Sequence, residues 1–363
     1  MANPVGEVEV VIVGAGIAGL ATAVALHRVG ISTVVLERSK ELRATGAALF
    51  LFPNAWLALD ALGVSCKLDA IYPQMNEGSV MDVKTERVIK VHYATENRKG
   101  EVVGPRVVHR KVLLEALAEE LPADTIWFSA KLTGIETEVD ASPSSPLYTL
   151  TFENGTAIKA KVLIGCDGVH SAVARKLGLR IPIHSGRQAV RGLATFPEGH
   201  GMTSFKQFVD GGKRAGMVPI NDKELYWFMV CNTLTNHKAD AMTDPETMKK
   251  EVKEDLAKEF PKIYHEVVDH SDLTSLSWAP LVFRCPWDVL LGKLADGNVT
   301  VAGDAMHPMT PELGHGGGLA LEDAIILGQH IGRAVAAPGK LDVKEVGLAL
   351  RGTSRRGDVV RPP

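Results

Sequence analysis

The sequence predicts an α/β fold: a three-layer, parallel-sheet domain is interrupted by an antiparallel β-sheet domain and then resumed. Three observations predict it. A strand, glycine turn, helix and strand open the chain. A run of short strands joined by tight turns follows residue 182, and a strand ending in a glycine turn returns near residue 298. At 363 residues there is enough chain for two packed units. The first domain is expected over residues 1–182 and 285–340, and the inserted sheet over 183–284, joined by part of 70–105. Residues 341–363 read as a divergent C-terminal tail.

Taken in order, residues 9–13 (EVVIV) form a short apolar run ending in Gly14, the pattern of a buried parallel strand. Residues 17–29 carry helical periodicity and residues 33–36 form the next strand, completing a βαβ unit. Residues 110–121 predict a helix with Val112, Leu113, Leu114, Leu117 and Leu121 inward. Residues 161–165 predict another strand, with a helix at 171–177. Beyond Pro182, residues 205–209, 214–220 and 224–231 predict antiparallel strands joined by Asp-Gly-Gly and Asn-Asp-Lys turns. One charged amphipathic helix is expected over 244–260, and residues 298–302 return to the βα pattern.

Composition excludes several classes. A net charge of −3 with 45% hydrophobic and 23% charged residues is that of an ordinary globular protein, and no clustered basic face suits nucleic acid. The four cysteines lack CxxC or metal-ligand spacing, so they are expected free in a reducing compartment, and no metal site is expected. Residues 8–26 approach the length of a membrane span. The glycines inside them and the lack of a basic start make them a strand turning into a helix. No integral membrane segment and a cytoplasmic, monomeric or homodimeric protein are therefore expected.

Gly14, Gly16 and Gly19 form a GxGxxG between strand and helix, with Glu37 ending the next strand. Such glycines permit a tight turn, backbone approach to a pyrophosphate and close helix–strand packing. The phosphates then sit on the helix N-terminus, where free N–H groups and the dipole favour negative charge. Glu37 lies where an acid accepts the ribose hydroxyls. This predicts dinucleotide binding but does not separate FAD from NAD.

Two further stretches narrow the choice. Asp167-Gly168 follows a strand and opens a helix. Gly303-Asp304 follows another and runs through Pro311 to Gly314, Gly316, Gly317 and Gly318. The ordered GxGxxG, DG and GD motifs resemble the class A flavoprotein monooxygenases, the aromatic hydroxylases. Residues 45–64 (TGAALFLFPNAWLALDALGV) and 303–324 (GDAMHPMTPELGHGGGLALEDA) resemble the plant salicylate-hydroxylase-like and urate-hydroxylase-like branch.

That resemblance implies an FAD-binding, Rossmann-like (GR2-type) domain with an inserted substrate sheet. It implies that Asp304 holds the ribityl chain, that Asp167 and Gly168 serve FAD and nicotinamide binding, and that Arg110 meets the pyrophosphate. Ala18, Arg38, Arg43 and Leu132 are further implied cofactor contacts. A cation in a helix's first turn opposes the macrodipole, so an anion beside Arg110 is expected on physical grounds too. The implied reaction takes electrons from NADH or NADPH, uses O₂, and passes oxygen to a small substrate through a flavin C4a-hydroperoxide. Two alternatives stay open: a reductase or oxidase on the same fold, and a non-catalytic FAD-binding protein.

Glu312, His315 and Gly318 stand where the family more usually has Asn or Asp, Gln, and Cys or Asn. Arg214, Tyr226 and Glu312 are the candidate substrate contacts. The first two are polar handles on adjacent predicted strands that the family uses to roof the flavin.

Overall fold

The structure is a computed structural model that describes residues 4–42, 48–97, 100–138, 146–233, 243–337 and 340–353. An eight-stranded sheet carries the first domain. Its parallel centre runs Ala157–Gly165, Pro4–Val13, Thr33–Leu36 and Ile126–Trp127, with Val299–Val301 beside Ala157–Gly165. The first strand explains why a continuous apolar run was needed. Val10 and Ile12 enter a core shared with helices Ile17–Arg28 and Gly316–Gly332, while Val11 and Val13 enter a second core with Leu150, Phe152 and Val173. Both faces are buried, as a parallel sheet requires.

A seven-stranded sheet forms the second layer system, in the order Ser277–Phe283, Ile183–Thr195, Glu224–Asn232, Lys213–Pro219, Phe205–Asp210, Glu77–Asp82 and Val88–His92. Its pairings are antiparallel except that between Phe205–Asp210 and Glu77–Asp82. Alternation gives it two unlike faces. Val190, Met217, Trp227 and Met229 pack against Met248, Tyr264 and Val267 of the covering helices. The opposite face carries Ala189, Arg191, Arg214, Tyr226, Phe228 and Val230, and looks onto the cavity described below.

The structure corrects several sequence expectations. Ile183–Thr195, a 13-residue strand second from one edge of this sheet, was not foreseen, because two glycines, two arginines and a histidine break its apolar alternation. The helix expected over 244–260 is shorter. Asp244 caps Pro245–Glu251, a π-turn follows over Val252–Leu256, and the Ala257 N–H donates to the Val252 carbonyl at 2.7 Å. The helix from Arg110 ends at Ala118. Helix Gly316–Gly332 takes Gly316, Gly317 and Gly318 of the glycine cluster into its first turn. No helix among the described residues is long and apolar enough to cross a membrane.

Candidate active site

The carboxyl ends of the parallel strands converge, which in open α/β sheets is where ligands bind. The Gly14 N–H donates to Leu36 O at 2.7 Å, Cys166 N–H to Val13 O at 2.8 Å and Ala302 N–H to Gly165 O at 2.9 Å. These bonds gather the three motif turns around one cavity of about 470 Å³.

The glycines of the first motif divide by role. Gly14 has φ +103°, and a Cβ there would lie 2.5 Å from the Cys166 carbonyl oxygen; one on Gly19 would lie 1.8 Å from the Gly14 carbonyl oxygen. These two serve packing. A Cβ on Gly16 would meet nothing within 4 Å, and Gly16, Ile17 and Ala18 line the cavity. Gly16 is the N-cap of helix Ile17–Arg28, whose first N–H groups lack intrahelical partners. Open space in front of unpaired N–H groups fits a pyrophosphate. Gly316 and Gly317, in the first turn of the other long helix, face the same cavity. Two positive helix ends therefore converge on it.

Glu37 is buried, at 8% exposure, and its carboxylate accepts from Ala15 N–H at 3.0 Å and Ser39 N–H at 2.9 Å. It thereby ties the first turn to the end of the second strand. Gly303 has φ +58°, and its Cβ would sit 2.7 Å from Ala18 Cβ, so the GD turn abuts the first helix. Asp323, from within the Gly316–Gly332 helix, holds that turn: it accepts from Gly303 N–H and from His307 Nε2, both at 2.7 Å. Burial alone would lower the His307 imidazole, but the Asp323 hydrogen bond and charge lift it above its ordinary value. Asp304 opens onto the cavity within enclosing protein. That enclosure raises its carboxyl above the usual carboxylate range, against the opposing charges of His307 and Arg110.

Of the candidate cofactor residues, Gly16, Ala18, Arg110, Gly168, Asp304, Pro311, Gly314, Gly316 and Gly317 line the cavity. Gly14, Gly19, Gly318 and Glu37 stand behind this lining. Asp167 is engaged otherwise: its carboxylate accepts from Ser171 Oγ and from Ala172 N–H at 2.6 Å, fixing the start of helix Ala172–Lys176. Arg38 is exposed, and Leu132 packs against the apolar cluster around Leu150 and Phe152, away from the cavity. Arg43 lies outside the described residues.

The three candidate substrate residues do meet there. Arg214 and Tyr226 come from adjacent strands of the second sheet, and Glu312 from the turn before the glycine helix. With its amide oxygen turned toward Arg214, Gln207 accepts from Arg214 Nη2 at 2.8 Å. Glu312 pairs with Arg187, and its buried Oε2 has no hydrogen-bond partner among the described residues. Burial opposes ionisation of Glu312, but Thr310, its own backbone N–H, Arg187 and Arg214 together hold its carboxyl below the ordinary value. Burial raises the Tyr226 phenol, and the neighbouring Arg191 opposes that shift. Arg187 and Arg191 were missed by the sequence reading because their strand was missed.

The family described as FAD binding domain matches residues 7–341. The chain belongs to that family. It is an FAD-dependent monooxygenase of the class A flavoprotein type. It is 42% identical to Monooxygenase 2 of Arabidopsis thaliana over 333 residues, covering 92% of this chain and 79% of that protein. It is 30% identical to the FAD-dependent urate hydroxylase of Mycolicibacterium vanbaalenii, covering 88% and 78%. The fold is that of Klebsiella pneumoniae HpxO complexed with FAD and uric acid, with TM-score 0.78 at 24% identity over 95% of this chain and 82% of that one. The open cradle at Gly16, the paired helix ends and Asp304 fit an FAD, whose phosphates would face the first helix.

Proposed function

We propose that this monooxygenase hydroxylates a small, planar aromatic or heterocyclic substrate, with NADH or NADPH as electron donor and O₂ as oxidant. The observation that carries the reading is the shared cavity: one wall is cofactor-binding backbone, the other the polar and aromatic face of the second sheet. Bound FAD supplies the redox chemistry. NAD(P)H gives two electrons, one oxygen atom of O₂ enters the substrate as a hydroxyl, and the other leaves as water. The chain's residues orient and shield. Asp304 and Arg110 hold the cofactor, and Glu37 and Gly16 shape its dinucleotide end. Arg214 and Tyr226 present donors to the substrate, and Glu312 Oε2 offers an acceptor. Phe228, Val230 and Met309 supply apolar wall that excludes water from the reacting centre.

The test is hydroxylation of phenolic acids and urate by the FAD-loaded protein under ¹⁸O₂ with NADH or NADPH. Substrate-stimulated NAD(P)H oxidation with one ¹⁸O atom in the product is expected. Oxidation that yields only peroxide, or product without label, overturns the reading in favour of an oxidase or reductase.

A further inference from the structure

Exposed apolar side chains are ordinary when scattered singly, but a cluster of them marks an interaction surface. Two neighbouring surface segments, residues 180–183 and 284–292, carry Ile181, Ile183, Trp287, Leu290 and Leu291, each at least 50% exposed. The segments lie side by side. Ile183 pairs with Phe283 across two strands, Arg180 forms an ion pair with Asp288 at 3.4 Å, and a Cβ on Gly292 would lie 3.2 Å from Leu179 Cδ2. Buried Arg284 ties them to the Gly303 turn: its guanidinium donates to the carbonyls of Arg180, Ala305 and Met306, and its N–H to that of Pro308. The apolar residues therefore stand on a fixed base.

Shape and charge decide what covers them. Helix Pro286–Leu290 buries none of its residues, so Trp287 and Leu290 project from the surface. A projecting apolar edge suits a deformable acceptor better than a rigid protein face. The chain as a whole has more acidic than basic residues, 43 against 40, yet residues 175–184 carry Arg175, Lys176 and Arg180 and no acid, and Lys293 follows Leu291 closely. All four cations are exposed. Asp288 and Asp296 partly offset Arg180 and Lys293, which leaves Arg175 and Lys176 in excess. Two copies meeting through this patch would set like charges against each other, whereas an anionic surface complements them. An anionic bilayer offers both what the apolar edge and what the cations need. Tryptophan and leucine settle at its interface, and Lys and Arg meet its headgroups.

We propose that Ile181, Trp287, Leu290 and Leu291 form a membrane-docking edge, which enters the interface of an anionic bilayer while Lys176, Arg180 and Lys293 meet the headgroups. No helix among the described residues is long and apolar enough to cross a membrane, so the contact is peripheral. The proposal is independent of the reading of the cavity as a substrate site.

The experiment sediments FAD-loaded protein with vesicles of phosphatidylcholine alone or of an equal mixture of phosphatidylcholine and phosphatidylserine. Wild type, the double variant Trp287→Ser with Leu291→Ser, and Lys176→Gln are compared. Wild type is expected to bind the mixed vesicles and to be released from them by raised salt. The double variant should bind at least about tenfold less at unchanged flavin content and melting temperature, because its changed side chains sit on the surface. Lys176→Gln should weaken binding on the order of fivefold. Failure of wild type to sediment with the mixed vesicles overturns the proposal, as does equal binding by the double variant. A wild-type dimer in sedimentation velocity that the double variant turns into a monomer, with no vesicle binding by either, overturns it in favour of a second copy of this chain.

Discussion

The two walls of the cavity are made differently. The dinucleotide wall is built from turns, each encoded within a few consecutive residues: Gly14 to Gly19, then Gly303 and Asp304, then Gly314 to Gly317. It presents mainly backbone N–H groups to the cavity. The facing wall, which we read as the substrate side, is built mainly from side chains that alternate along strands, and its members Arg191, Arg214 and Tyr226, with Glu312 from a turn, come from separate stretches of the chain. Backbone recognition needs a local conformation, so it leaves a local signature. Side-chain recognition needs only the right face of the right strand, and that becomes visible when the strand order is known.

This contrast can be broken at graded cost. Gly19→Val forces a side chain into the Gly14 carbonyl oxygen, where a Cβ alone would lie at 1.8 Å. A loss on the order of 3 kcal/mol in apoprotein stability is expected, read from denaturant unfolding. Asp304→Ala removes the cavity carboxylate that we propose holds the cofactor, so bound FAD should weaken by roughly tenfold or more while the apoprotein stays folded. Full flavin content in the purified variant would remove Asp304 from the cofactor site. Gly16→Ala separates the two glycine roles. Its Cβ would meet no protein atom within 4 Å, so apoprotein melting should be unchanged, whereas FAD affinity should fall severalfold; an equal drop in apoprotein stability would place Gly16 with the packing glycines.

At the substrate wall, Glu312→Gln should raise KM by about tenfold for a substrate that donates to the carboxylate, at unchanged flavin content. The smallest effect concerns the grip of Asp323 on the Gly303 turn. His307 has a folded pKa above its unfolded value, so its contribution to stability is complete below about pH 6.5 and disappears as pH rises through the folded pKa. His307→Gln should therefore be less stable than wild type at pH 6, and the two melting curves should approach each other at alkaline pH. A constant difference across that range would mean that packing, rather than protonation, is what His307 contributes.

Much of the architecture was legible for the reason just given. The βαβ opening, the helix from Arg110 and the hairpin strands around Arg214 and Tyr226 follow from periodicity and turn residues. Strand Ile183–Thr195 did not, because its cavity face carries arginines among apolar residues and so lacks the signature of a half-buried strand. Arg187 and Arg191 went unnoticed with it. Asp167 shows a different limit. A carboxylate before a helix suits a ligand and a helix cap equally, and here the cap bonds occupy it. Nor does spacing place the break after Glu251, since the π-turn keeps Val252 and Leu256 on the buried side.

Asp323 carries a consequence beyond its hydrogen bonds. By gripping both Gly303 N–H and His307 from inside the Gly316–Gly332 helix, it fastens the Asp304 turn to the helix end that faces the same cavity. The two halves of the clamp cannot drift apart without breaking that carboxylate's bonds. Those bonds are made within the protein, so less of the ordering of the two turns falls to FAD binding. Such a socket accepts its cofactor as a key enters a cut lock, and cofactor-free chains should recover full occupancy on simple mixing.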